Sequence, residues 1–170
     1  GRHKTIDKII AIIKILHKRY PQIAKYQTSC DLQNKPKADG RWCENCSKCG
    51  RMYIYLLAHG INPKIVGFKR DLLCQKYHHL YTIFSTGRIR EFGYDQSEVG
   101  KNEQILAFLL AYKRGYRGPV MRSFARRFLV YAKKREKSLR QTFFGIHSTP
   151  TIPQNIKPRV LRIFRQELDP

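Results

Sequence analysis

Three cysteines at intervals of three, Cys43, Cys46 and Cys49, follow Cys30 after a gap of thirteen positions. No other feature limits so strongly what this chain can fold into. Thiols spaced C-x-x-C-x-x-C lie on one tight turn and can converge on a single ion, while Cys30 returns from a loop to complete the shell. The spacing predicts a four-thiolate tetrahedral zinc site with Zn–S distances of about 2.3 Å. Such a site has no open position for water or substrate, so the zinc is expected to be structural. Buried cysteines that only fill a core are common, yet Glu44, Asn45, Ser47 and Lys48 are not core residues. Disulfides need an oxidising compartment, and the run is crowded for them. An iron–sulfur cluster is the rival, because ferredoxin-like runs share the spacing. Those runs continue to a fourth Cys followed by Pro, whereas Cys49 is followed by Gly50-Arg51-Met52-Tyr53. Zinc is therefore favoured over the cluster.

Charge is the second constraint. The chain carries 34 Lys and Arg against 12 Asp and Glu, a formal charge of +22. That imbalance opposes compaction and favours a polyanionic partner: nucleic acid, a phosphate-rich ligand or an anionic membrane surface. A solvated basic surface that aids solubility is the plain alternative. No stretch offers 18 consecutive apolar residues, so no membrane span is expected. Ile9 to Leu16 is apolar but interrupted by Lys14 and followed by His17-Lys18-Arg19, which is not a leader pattern. Thiols kept available for metal then suggest a reducing, cytoplasmic setting. The chain opens with Gly1-Arg2-His3 rather than Met, as expected of a fragment of something longer or of a tag remnant.

Apolar periodicity predicts a mainly α fold, a small helical domain stapled by the four-cysteine zinc knuckle. Residues 5–19 read as an amphipathic helix, with Ile6, Ile9, Ile10 and Ile13 on one side and Pro21 ending it. Tyr20 to Cys30 is a link, and Asp31 to Arg41 a polar loop fastened at both ends by the metal. Met52 to Ala58 is apolar nearly all round and precedes Gly60 and Pro63, which predicts a short buried helix launched from the knuckle. His59, in its last turn, is read as satisfying the terminal carbonyls rather than as a ligand. Leu72, Leu73, Tyr77, Leu80, Tyr81 and Phe84 recur at helical spacing, predicting a further core helix in which Cys74 is a buried thiol. Cys74 near His78 imitates a Cys–His pair, but a core thiol beside a surface histidine is the reading adopted. Ile89 to Tyr94 is too short to classify. Ser97 or Asn102 caps a helix expected over Glu103 to Tyr116. Val120 to Phe144 gives the strongest helical pattern, and Arg159 to Glu167 a last short helix after a proline-rich stretch. Two parts are expected: residues 1–118, the zinc-stapled domain, and 119–170, the basic helix and tail packed on it.

The long helix carries the other functional signal. Met121, Phe124, Ala125, Phe128, Leu129, Ala132 and Leu139 form one stripe, and Arg122, Arg126, Lys133, Lys137 and Arg140 another. From Lys113 to Arg140 there are eleven Lys or Arg and one acid, Glu136. A basic stripe about 27 Å long, at 1.5 Å per residue, can track several phosphates. Tyr112, Tyr116 and Tyr131 offer stacking surfaces for unpaired bases. RNA or single strands are favoured over duplex DNA, since no recognition-helix signature is visible. The membrane-surface reading is weaker, because the apolar stripe is needed in a core.

Thr28-Ser29-Cys30, a loop, Trp42-Cys43-Glu44-Asn45-Cys46-Ser47-Lys48-Cys49-Gly50-Arg51 and a helix running to Gly60-Ile61-Asn62-Pro63 resemble the C-terminal zinc region of the PP-loop ATP-pyrophosphatases. The order is similar to that of the queuosine-precursor (cyano-deazaguanine) synthases. Trp42 and Lys48 look closer to a muramyl-peptide epimerase branch of the group. The likeness covers residues 20–65 and extends loosely to 110. It implies that the four cysteines bind zinc. It carries no catalytic residue, because the family's ATP-binding Ser-Gly-Gly-x-Asp-Ser loop is missing from the sequence.

Two function classes remain. One is a binding module presenting Lys113 to Arg140 to RNA or DNA. The other is the C-terminal part of an ATP-dependent ligase- or synthase-like enzyme whose active-site loop lies upstream of Gly1, or whose upstream domain pairs with the basic face. No paired carboxylates and no G-x-S-x-G context nominate catalytic residues within the chain.

Overall fold

The computed structural model describes residues 8–30, 41–85, 97–146 and 152–168. They form a mainly helical fold: α1 (Ile9–Arg19), α2 (Pro21–Ala24), α3 (Ser47–Ala58), α4 (Glu98–Lys113), α5 (Pro119–Phe144) and α6 (Lys157–Glu167), with no strand among the described residues. The expected loop 31–40, the segment Ile89 to Tyr94 and the start of the first helix at residues 5–7 lie outside them.

α3 and α4 are the centre. From Met52 to Ala58 every residue of α3 is buried, and so is every residue of α4 from Glu103 to Ala111. A helix apolar all round can only be an inner one, and the other elements cover these two. α5 joins the same core through Val120, Met121, Phe124, Ala132, Leu139, Phe143 and Phe144, with the Phe124 ring stacked on Phe108 of α4. α1 adds Ile10, Ala11 and Ile13.

Two polar side chains of α4 are buried with the core and fasten other elements to it. Glu103 accepts from the Ile10 backbone N–H at 2.8 Å and from the Tyr55 hydroxyl at 3.0 Å. It thereby satisfies a first-turn amide of α1 that no side chain of α1 itself caps. Gln104 accepts from Ile83 N at 3.0 Å. α4 starts at Glu98, one turn earlier than expected, because the Ser97 hydroxyl accepts from Gly100 N at 3.0 Å. Glu103 is therefore an interior residue rather than the opening one.

α3 ends in a Schellman arrangement, Ile61 N to Leu56 O and Gly60 N to Leu57 O. His59 does not serve the carbonyls of its own helix. Its Nε2–H reaches across to Ile10 O at 2.8 Å, and Arg114 instead supplies a donor to Ala58 O at 2.9 Å.

The helix expected through Leu72 to Phe84 is not formed. The segment is a series of 3₁₀ turns, Pro63–Val66, Gln75–Leu80 and Thr82–Phe84. Gly67, at φ +98°, closes the first of them in a left-handed conformation. The Asp71 carboxylate then accepts from Leu73 N and holds the chain in a local turn instead of a helix. Tyr77, Leu80 and Ile83, all buried, recur at three, which is the 3₁₀ period. Cys74 is exposed rather than buried.

Candidate metal centre and basic face

The turn around Cys43 to Cys49 is built from inside. Glu44 adopts a left-handed φ of 54°, which reverses the chain between Cys43 and Cys46, and Asn45 N points at Cys43 Sγ at 3.4 Å. α3 starts directly after Cys46, so Cys49 lies one turn into a rigid helix. Gly50, next to it, lets Leu80 come close: a Cβ there would meet the Leu80 Cβ at 2.9 Å. Cys30 is brought in from the other side, where the Thr28 hydroxyl donates to Arg41 O at 2.8 Å and the Arg41 guanidinium to Lys25 O.

The result is a cluster in which the sulfurs of Cys30, Cys43, Cys46 and Cys49 all lie within 4.8 Å of one another. Cys43 and Cys49 are 3.7 Å apart and Cys46 and Cys49 3.5 Å. These are not bonded sulfurs, which sit at about 2.0 Å. They match the edge of a tetrahedron, about 3.8 Å, around an ion at about 2.3 Å from each sulfur. The four cysteines can hold a metal ion.

Electrostatics points the same way. The contact with Cys49, 3.5 Å away, draws the Cys46 thiol down to about 5. The same contact, together with burial, pushes Cys49 far up. Burial first of all raises Cys43 to about 12. Burial and mutual repulsion thus oppose ionisation of the thiols together when no cation is present. An ion at the centre reverses that balance, and its uptake releases protons.

Residues that sequence reasoning passed over extend the turn outward. The buried Glu44 carboxylate accepts from the backbone N–H groups of Lys69 and Arg70, the latter at 3.3 Å. The Trp42 indole N–H donates to Val66 O at 2.8 Å, and its ring stacks on Phe68 at 4.6 Å. The knuckle thus grips residues 66–70 on both sides of Cys43. An acid inside a C-x-x-C turn was the available signal.

On α5, Arg122, Arg126, Lys133 and Lys137 are exposed, and Arg140 is half-buried. At 3.6 residues per turn the five fall within about 60° of one another. Arg140 is engaged, its Nε 3.2 Å from Glu136, which also takes Lys113 at 2.7 Å. The other four make no ion pair among the described residues. Arg135 lies over the Tyr131 ring at 5.2 Å and Arg117 over Tyr112 at 4.3 Å. Tyr131 is exposed, whereas Tyr112 and Tyr116 pack partly against the core. No described helix is long and apolar enough to cross a membrane.

Fold and site together define a mainly α domain with a four-thiol cluster suited to a metal ion. No family model, curated protein or solved structure matches this chain.

Proposed function

We propose that the chain is a zinc-stapled basic helical module that binds RNA or another polyanion along α5. The carrying observation is the state of the α5 face: four aligned cations with no counter-charge among the described residues, while the one acid of the helix is already occupied by Lys113 and Arg140. Zinc is the ion that an all-thiolate, closed tetrahedral set suits best, and it would brace the fold rather than take part in chemistry. Thiols used in this way fit a reducing compartment such as the cytoplasm. Exposed Tyr131 would add a stacking surface suited to single strands.

Fluorescence anisotropy with a single-stranded oligoribonucleotide over a range of salt tests the reading. Affinity should fall linearly on a log–log plot, and reversing Arg126, Lys133 and Lys137 to Glu should flatten the slope by about 0.7 per lost phosphate contact. An unchanged slope contradicts it. Loss instead of an interaction with an upstream domain assigns the face to that domain.

A second reading is the C-terminal part of an ATP-dependent PP-loop enzyme whose nucleotide site lies outside residues 1–170. It is favoured by the way Cys30 joins a knuckle that launches α3 toward Gly60 and Pro63, the order that the resemblance implies. Intact mass and N-terminal sequencing of the native protein test it: an upstream Ser-Gly-Gly-x-Asp-Ser loop supports it, and a native start near Gly1 excludes it.

A further inference from the structure

A cavity of about 300 Å³ opens beside the knuckle, at the small end of the range for ligand sites. Its wall carries Lys64, Lys69 and Arg70, with Tyr53 and Phe68 beneath them and Asp71 as the one acid. Lys64, Lys69 and Arg70 are exposed, while Tyr53 and Phe68 are buried, so the cavity has a cationic rim and an aromatic floor. Its geometry is set by the knuckle. Glu44 and Trp42 fix residues 66–70, and the Asn62 side chain accepts from Lys64 N at 3.0 Å, which sets the turn that carries Lys64. Asp71 already accepts from the Tyr53 hydroxyl at 3.1 Å and Leu73 N at 2.9 Å, which ties it into the wall. Arg70 Nε also lies 3.5 Å from the buried Glu44 carboxylate, so three cations stand against two tethered carboxylates, Glu44 and Asp71, and the site keeps a net positive charge. The cavity also lies at the start of the basic helix. Leu73, two residues beyond Asp71, accepts through its carbonyl from Val120 N at 3.0 Å, and Arg122 follows on α5.

We infer that this cavity is a phosphate-monoester site that takes one nucleotide, with the phosphate on Lys64 and Arg70 and the less polar part over Phe68 and Tyr53. The choice of a nucleotide over another phosphate ester rests on the polyanion reading of α5. The monoester has two sources, the 5′-phosphorylated end of a strand or a free nucleotide. A terminal phosphate carries more charge than a bridging one, and charge-assisted hydrogen bonds to Arg and Lys reward it.

The test uses the full chain loaded with metal and three probes: a single-stranded oligoribonucleotide with a 5′-phosphate, the same strand with a 5′-hydroxyl, and a nucleoside 5′-monophosphate. The phosphorylated strand should bind about tenfold more tightly than the hydroxyl strand. Lys64→Ala and Arg70→Ala, both at exposed side chains, should remove that preference while leaving the hydroxyl strand's affinity nearly as it was. Asp71→Asn keeps the acceptor for Tyr53 and Leu73 and should widen the preference. Reversal of Arg126, Lys133 and Lys137 should weaken both strands and leave their ratio intact. Equal binding of the two strands, or a preference that Lys64→Ala and Arg70→Ala do not move, overturns the inference. If the α5 reading alone is wrong, the hydroxyl strand does not bind, yet the monophosphate and the phosphorylated strand bind and still depend on Lys64 and Arg70. If the monophosphate too is not bound, the pocket assignment falls with it.

Discussion

The cysteine knuckle and the outer face of α5 are both polar, and they differ in where their polar groups find partners. Around the knuckle the chain turns inward: Glu44 holds Lys69 and Arg70 by their backbones, Trp42 holds Val66, and Thr28 holds Arg41. The four thiols complete the pattern, gathered where one metal ion could hold them together. On α5 the arrangement is the opposite. Arg122, Arg126, Lys133 and Lys137 project from a helix whose other side is already packed, and no described acid answers them. A region whose polar groups are consumed internally shapes the fold. A region whose charges are left open is free to meet something else, at no structural loss.

The largest effect should come from breaking the inward region. Cys49→Ser removes the most buried ligand, and metal binding free energy in such sites is folding free energy. A loss on the order of 5–10 kcal/mol is expected, enough to release residues 41–73. Metal content per chain and thermal melting measure it. Cys74→Ser should leave both unchanged, within about 0.5 kcal/mol, because Cys74 is exposed and outside the cluster.

Glu103→Ala should cost about 3–5 kcal/mol, since the Tyr55 hydroxyl and Ile10 N–H lose their acceptor inside the core and a gap is left. Chemical denaturation measures this. The metal content should stay the same, which separates the α4 anchor from the knuckle.

Acid should weaken the same junction by a separate route. Burial, aided by nearby Lys14 and Arg114, lowers His59 to about 4, so the folded protein keeps this imidazole neutral. The unfolded chain binds the proton first, near 6.5. Stability from His59 is therefore complete above about pH 6.5 and is lost as pH falls toward 4, by at most about 3 kcal/mol. Denaturation of the wild type and of His59→Gln at pH 7 and pH 5 checks the sign: the wild type should lose more than the variant.

Only a small effect on stability belongs to the outward region. Arg126→Glu with Lys133→Glu and Lys137→Glu should shift the folding free energy by only about 1 kcal/mol in total, as exposed substitutions away from packing do. A large destabilisation would mean that these side chains serve the fold after all and would erase the contrast with the knuckle.

Much of this contrast is legible in the sequence, for identifiable reasons. C-x-x-C-x-x-C spacing and the two-stripe pattern of α5 are local, so Cys43, Cys46 and Cys49 and the alignment of Arg122 with Lys133 follow from helix and turn geometry alone. Cys30 was reachable because few other thiols exist to pair with it. The segment through Leu72 to Phe84 differs because apolar spacings of three and four fit either period over a single turn, and the deciding contacts, Gly67 and Asp71, are turn chemistry. Cys74 follows that difference: placed on a core helix it would be buried, and on a 3₁₀ turn it faces out. The helix expected from Glu103 starts earlier in the structure, and the role of Glu103 rests on partners, Ile10 and Tyr55, that lie 93 and 48 positions away. No local pattern announces a contact at that range. Glu44 was hidden likewise, since its partners are residues 69 and 70.

X-ray absorption at the metal edge of the purified chain tests the central claim most directly, that the four thiols form one closed metal site that shapes the knuckle. The account predicts one zinc per chain with four sulfur neighbours at about 2.3 Å, and loss of that shell in Cys49→Ser. A chain without metal, a shell with nitrogen or oxygen in place of a sulfur in the wild type, or an iron edge with a second iron close by would contradict it.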